Sequence, residues 1–151
     1  MVPEEGIFLK NETVYLLNQC HLGAQMAVGS IDAVVGRVRD RQLRDHLQDS
    51  RSIHAKLEKE TADLLRRMGK EPEKPGLMAE KMSQIKTEVQ MRLHPGDATV
   101  AALMTDGCHM GIKTLARQLN RHMTADIQSR EITRRMIGAE DQMAGGLRAF
   151  L

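Results

Sequence analysis

Val14, Leu17, His21, Ala24, Val28, Ile31, Val35 and Val38 follow one another at alternating steps of three and four. Sustained over more than three heptads, that spacing puts every one of them on a single stripe of an α-helix and leaves no room for strands. At 1.5 Å per residue the helix would be about 40 Å long. Asn11 is the expected N-cap, with Glu12 in the first turn. Only His21 breaks the apolar character of the seam.

A second seam follows a short polar link, Arg39-Asp40-Arg41: Leu43, Leu47, Ser50, His54, Leu57, Thr61, Leu64 and Met68. Gly69 is placed to end it in the left-handed conformation, and Pro72 and Pro75 prevent its continuation. So short a link predicts an antiparallel hairpin. A third, shorter helix carries Met78, Met82, Ile85, Val89 and Leu93, and His94-Pro95-Gly96 stops it. Asp97 is the expected cap of the next helix, with Val100, Leu103, Met104, Cys108, Ile112, Leu115 and Leu119. The last begins near Thr124 or Ser129 and shows Ile132, Met136, Ala139, Met143, Gly146 and Phe150. The expected helices are thus about 12–38, 41–68, 77–93, 97–120 and 124–150, in one domain spanning 1–151.

Composition agrees. Aromatic residues are 2% of the chain and Trp is absent, while Met occurs 11 times; unbranched side chains of this kind lose little freedom in helices. A net charge of +2 is too small to imply a polyanionic partner. Acids and bases interleave, as in Lys56-Leu57-Glu58-Lys59-Glu60, which reads as a solvated helix face; no nucleic-acid partner is expected. The start, Met1-Val2-Pro3-Glu4-Glu5-Gly6, lacks a secretory pattern, and no apolar run approaches a membrane span. Cys20 and Cys108 sit within helical patterns as small packing residues, so a reducing, cytoplasmic location is expected. Glycines inside the helices, among them Gly23, Gly111, Gly145 and Gly146, imply close helix approach or room for large neighbours, because each costs about 1 kcal/mol against Ala.

The informative residues are polar ones at core phase. If the third helix carries the chain back along the molecule, helix heights can be counted from the turns. Gln25, His54, His109 and Glu140 then fall at one level on four helices, with His21 and Asp106 nearby. Imidazole and carboxylate are natural ligands of Zn, Fe or Mn, and buried groups of this kind need a partner or a metal. The plainer expectation is a hydrogen-bonded polar layer, with Gln25, Ser50 or Thr61 as partners. His46, His94 and His122 lie toward ends or loops.

In its helix lengths and its pattern of hairpin, crossover and hairpin, the chain resembles the ferritin-like superfamily over residues 12–150, particularly small bacterial bundle families of unknown function distantly akin to rubrerythrins. The resemblance implies a four-helix bundle with a short helical crossover between helices two and three. Active members of that superfamily carry Glu on helices one and three and Glu-x-x-His on helices two and four. Here helix two offers Arg51-Ser52-Ile53-His54 and helix four Glu140-Asp141-Gln142-Met143; only His54 and Glu140 match as they stand. Helix one has Gln25 in the expected region, and helix three His109 or Asp106. Two irons need about four carboxylates to bridge and balance them, so di-iron chemistry is not expected. A non-catalytic structural or interaction protein fits these residues, with a homodimer supported by Tyr15, Leu16 and Leu22 beside the first seam. The alternative is metal binding or storage through His54, His109 and Glu140, joined by His21 or Asp106. Cysteine chemistry ranks last.

Overall fold

The computed structural model describes residues 4–151, apart from the side chains of 77–83. Among the described residues the chain is all-helical, with no strand. The helices are α1 (Glu4–Val34), α2 (Arg41–Arg67), α3 (Leu77–Leu93), α4 (Asp97–Arg121) and α5 (Ile127–Leu147), with 3-10 turns at Val35–Arg37 and Arg148–Phe150. No described helix is long and apolar enough to cross a membrane.

Local chemistry fixes the boundaries. The Asp40 carboxylate accepts from the Leu43 amide at 3.0 Å and starts α2, and Asp126 does the same for α5 through Ser129. Gly69, at φ 75°, turns the chain out of α2 as expected. Two starts differ from expectation. Asn11 caps nothing: α1 begins at least seven residues earlier, because Glu4–Lys10 contains only one poor helix former, Gly6. Asp97 is the first residue of α4 and not its cap. Its carboxylate instead accepts the backbone amides of Arg39 and Asp40, at 2.9 and 2.8 Å.

That bond pair brings the start of α4 to the α1–α2 turn. At the other end of the 69–96 link, the Glu73 amide donates to Asn18 on α1 at 3.0 Å. The closest helix pairs are α1 with α2 and α4 with α5, and α5 also lies against α1 and α2. α3 touches mainly α4. It buries Met91, while Ile85, Val89 and Leu93, expected on its inner stripe, are exposed. Met78 and Met82 fall among the side chains outside the described set. Leu16, expected free for a dimer contact, is wholly buried, and Leu22 is half-buried. α1 buries Thr13, Leu16, Leu17 and Cys20 together, a stripe wider than the a/d seam.

The apolar interior comes in two parts. One holds Ile31, Val34, Leu43, Leu47, Val100, Met104, Cys108, Met143 and Leu147; the other Leu17, Cys20, Ala24, Leu57, Leu65, Leu115, Ile132 and Met136. Along α2 the gap between them falls at Ser50 and His54, on α4 at Gly111, and on α5 at Glu140. A polar layer at mid-height divides the core.

Candidate functional site

His54, fully buried, and Glu140, 4% exposed, face each other across that layer. His54 Nδ1 lies 2.7 Å from the Ser50 carbonyl, which can only accept, so Nδ1 carries a hydrogen. Nε2 stands 3.2 Å from Glu140 Oε1. The carboxylate sits off the line of an ideal hydrogen bond, so the contact is electrostatic more than directional. Two lone pairs at that distance would repel in a dry interior, so the contact favours the protonated imidazole. Burial pushes the His54 pKa down, but the Glu140 contact and the Ser50 carbonyl outweigh it, and the net direction is up.

Two residues of α4 complete the layer. Gly111 makes room for Glu140: a Cβ there would sit 3.3 Å from the carboxylate carbon. Cys108, 1% exposed, is held protonated first by burial and then by the neighbouring Glu140 charge, both of which raise its pKa. Cys20 sits farther along, with its Sγ 3.1 Å from Thr133 Oγ1. Burial pushes its thiol up to about 11, only partly offset by that contact. Neither cysteine has the lowered pKa of a nucleophile.

The other candidates do not join the pair. His109 and Asp106 are exposed. The height count brought them to the right level, but α4 turns Val100, Met104, Cys108 and Leu115 inward and these two residues outward. His21 is buried, and its Nδ1 donates to the Glu58 carbonyl (3.1 Å), with Thr61 Oγ1 at 3.2 Å. Gln25 is half-buried, and its Oε1 is sealed without a partner among the described residues. His21 and Gln25 line a separate polar cleft, walled by Glu58, Lys59 and the Glu71–Lys74 segment. Among the described residues, no three His, Cys, Asp or Glu side chains are arranged to hold a metal ion.

Sequence reasoning missed two things. It treated Cys108 as filler, although Gly111 one turn later marks where α4 passes a bulky group. It also gives His46 no role beyond a place toward an end or loop. His46 lies on the Gly146 backbone, where a Cβ would come within 2.2 Å of its ring, and its Nε2 is 3.0 Å from the Met143 carbonyl. A third polar contact closes one end of the molecule: His122 Nδ1 lies 2.7 Å from Glu12, and the Tyr15 ring packs against the imidazole, tilted by 41° with ring centroids 4.6 Å apart.

No family model, curated protein or solved structure matches the chain.

Proposed function

We propose that this chain is a ferritin-like four-helix bundle acting as a non-catalytic structural or interaction protein. The architecture is read as two antiparallel hairpins, α1–α2 and α4–α5, with residues 69–96 as the crossover. The anchoring of Glu73 on Asn18 and of Asp97 on the α1–α2 turn supports that reading, because the link has to travel between the two ends.

One observation carries the functional reading. Among the described residues, the mid-height layer, where ferritin-like proteins hold two irons, contains a single carboxylate and a single imidazole, set against each other and sealed from water. These residues do not fit a di-iron centre, which needs several carboxylates to bridge the ions. Inside a bundle, a buried ionic pair of this kind fixes helix register more readily than it adds stability. It gives the protein one well-defined surface to present.

The second reading, a metal-binding or storage role, draws on the same juxtaposition, since His54 and Glu140 are both ligand types for Zn, Fe or Mn. Elemental analysis of protein purified without added metal separates the two. The first reading expects sub-stoichiometric metal and no rise in Tm with Zn, Fe or Mn. One metal per chain, together with a metal-dependent Tm rise abolished in His54→Ala, would overturn it.

A further inference from the structure

The polar cleft between α1, α2 and the Glu71–Lys74 segment has a volume of about 380 Å³. Two features of the chain make it. α2 contributes Ala55 and Ala62 to its wall, and their methyl groups leave space that longer side chains would fill. The Glu73 amide, bonded to Asn18 at 3.0 Å, holds the segment against α1 as the opposite wall. His54, Glu140 and Cys108 take no part in the lining.

The deep groups of the cleft are hydrogen-bond acceptors. His21 is only 7% exposed. Its Nδ1 donates to the Glu58 carbonyl at 3.1 Å, so the neutral ring presents Nε2 as a lone pair. Nε2 bonds nothing among the described residues and is not sealed, so it opens on the cleft that the residue lines. Gln25, one turn on along the same face of α1, lines the cleft as well, and its Oε1 is shut off without a donor. An acceptor left unpaired in this way is costly, and an N–H donor bound beside it relieves that cost once the amide turns toward it. Glu58, half-buried next to them, has no ion-pair partner among the described residues. The rim has the opposite sign. Arg66 and Glu71 pair with each other at 3.5 Å, and exposed Lys59 and Lys74 outnumber Glu73.

We infer that this cleft binds a small zwitterion of the amino-acid class. Its cationic, N–H-bearing head lies against His21 Nε2, Gln25 and Glu58, and its carboxylate lies toward Lys59 and Lys74. A simple anion fits poorly, because it would meet the imidazole lone pair and the Glu58 charge. A metal ion fits no better, since no three His, Cys, Asp or Glu side chains among the described residues are arranged to hold one. The volume falls at the small end of the ~300–1,000 Å³ range of ligand pockets, which suits a compact molecule. The inference goes beyond the structural or interaction role and does not depend on it.

The test is isothermal titration calorimetry of the full chain with L-arginine and L-lysine at constant ionic strength. At least one is expected to bind saturably, one per chain, with a Kd of about 1 mM or tighter and a matching rise in Tm. Gln25→Leu removes the unpaired acceptor at similar volume, so it should keep or raise the Tm while weakening binding about tenfold. His21→Asn keeps a donor within reach of the Glu58 carbonyl but loses the nitrogen facing the cleft, and should weaken binding about as much. Nα-acetyl-L-argininamide has the guanidinium without the carboxylate and stands for an arginine residue of another protein; it should bind more weakly than L-arginine. No saturable heat with either amino acid overturns the inference, and so does wild-type affinity in Gln25→Leu. Equal binding of the capped compound overturns the assignment to a free zwitterion. None of these results touches the metal analysis of the mid-height layer, so the two proposals fail separately.

Discussion

His54 Nε2 and Glu140 Oε1 stand 3.2 Å apart in the middle of the core. The Ser50 carbonyl fixes which imidazole nitrogen faces the acid, and Gly111 gives the acid its space.

Removing either partner strands the other. His54→Ala leaves a buried carboxylate without a counter-charge and should cost about 3–5 kcal/mol in urea denaturation. Glu140→Met alone leaves the imidazole unpaired and should also destabilise. The double variant His54→Leu/Glu140→Met removes both charges together and should be more stable than either single. If the double loses the sum of the two single effects, the residues do not act as a pair.

The raised His54 pKa carries a sign. Stabilisation from its protonated form is complete below the unfolded-state value, about 6.5, and is lost as pH rises through the higher native value. Tm should therefore fall across the neutral to mildly alkaline range, and His54→Gln should flatten that slope. Asp97 acts at the opposite limb. The Arg39 amide lowers its pKa most; desolvation opposes it, and the Asp40 amide with the Arg39 and Arg44 charges keeps the net direction down. Its contribution is present above the unfolded carboxylate range and disappears as pH falls through the native value. Asp97→Asn should weaken that acid-side slope.

Two glycines of α5 should respond in opposite ways to the same substitution. A Cβ at Gly138 meets nothing within 4 Å, so Gly138→Ala should stabilise by up to about 1 kcal/mol through helix propensity. At Gly146 the Cβ would fall on His46, which must swing away and lose its contact with the Met143 carbonyl. Gly146→Ala should come out about 1–2 kcal/mol worse than Gly138→Ala. Equal Tm values for the two variants would contradict the His46 packing.

Both thiols should be silent in the native protein. With Cys20 pushed up to about 11 and Cys108 also raised, each buried, a thiol reagent near neutral pH should label neither until the chain opens. The labelling rate should follow unfolding across a denaturant series. Fast labelling of Cys108 in buffer would show that the polar layer is open to solvent.

Much of the helical layout could be read in the amino-acid order, because the apolar seams have a period that only helices share. Gly69 and the His94-Pro95-Gly96 stop did what their backbone preferences dictate. Boundaries that depend on tertiary contacts could not be read. Asp97 looks like a helix cap in one dimension, yet it serves the turn between α1 and α2. For the polar layer, counting along helices gave height, and that was enough to join His54 to Glu140. It did not give rotation, and a residue such as His109 at the right level can face outward. α3 shows the same limit: Ile85, Val89 and Leu93 form a helical stripe that stays exposed.

The 69–96 link is tied at both ends, by Glu73 to Asn18 and by Asp97 to the Arg39 and Asp40 amides, while among its described residues the stretch from Gln84 on is held by little beyond Met91 and the Arg37–Glu88 ion pair. A protease that clips the backbone between Gln84 and Gln90 should therefore leave two fragments clasped together. They would elute as one particle and part only in denaturant.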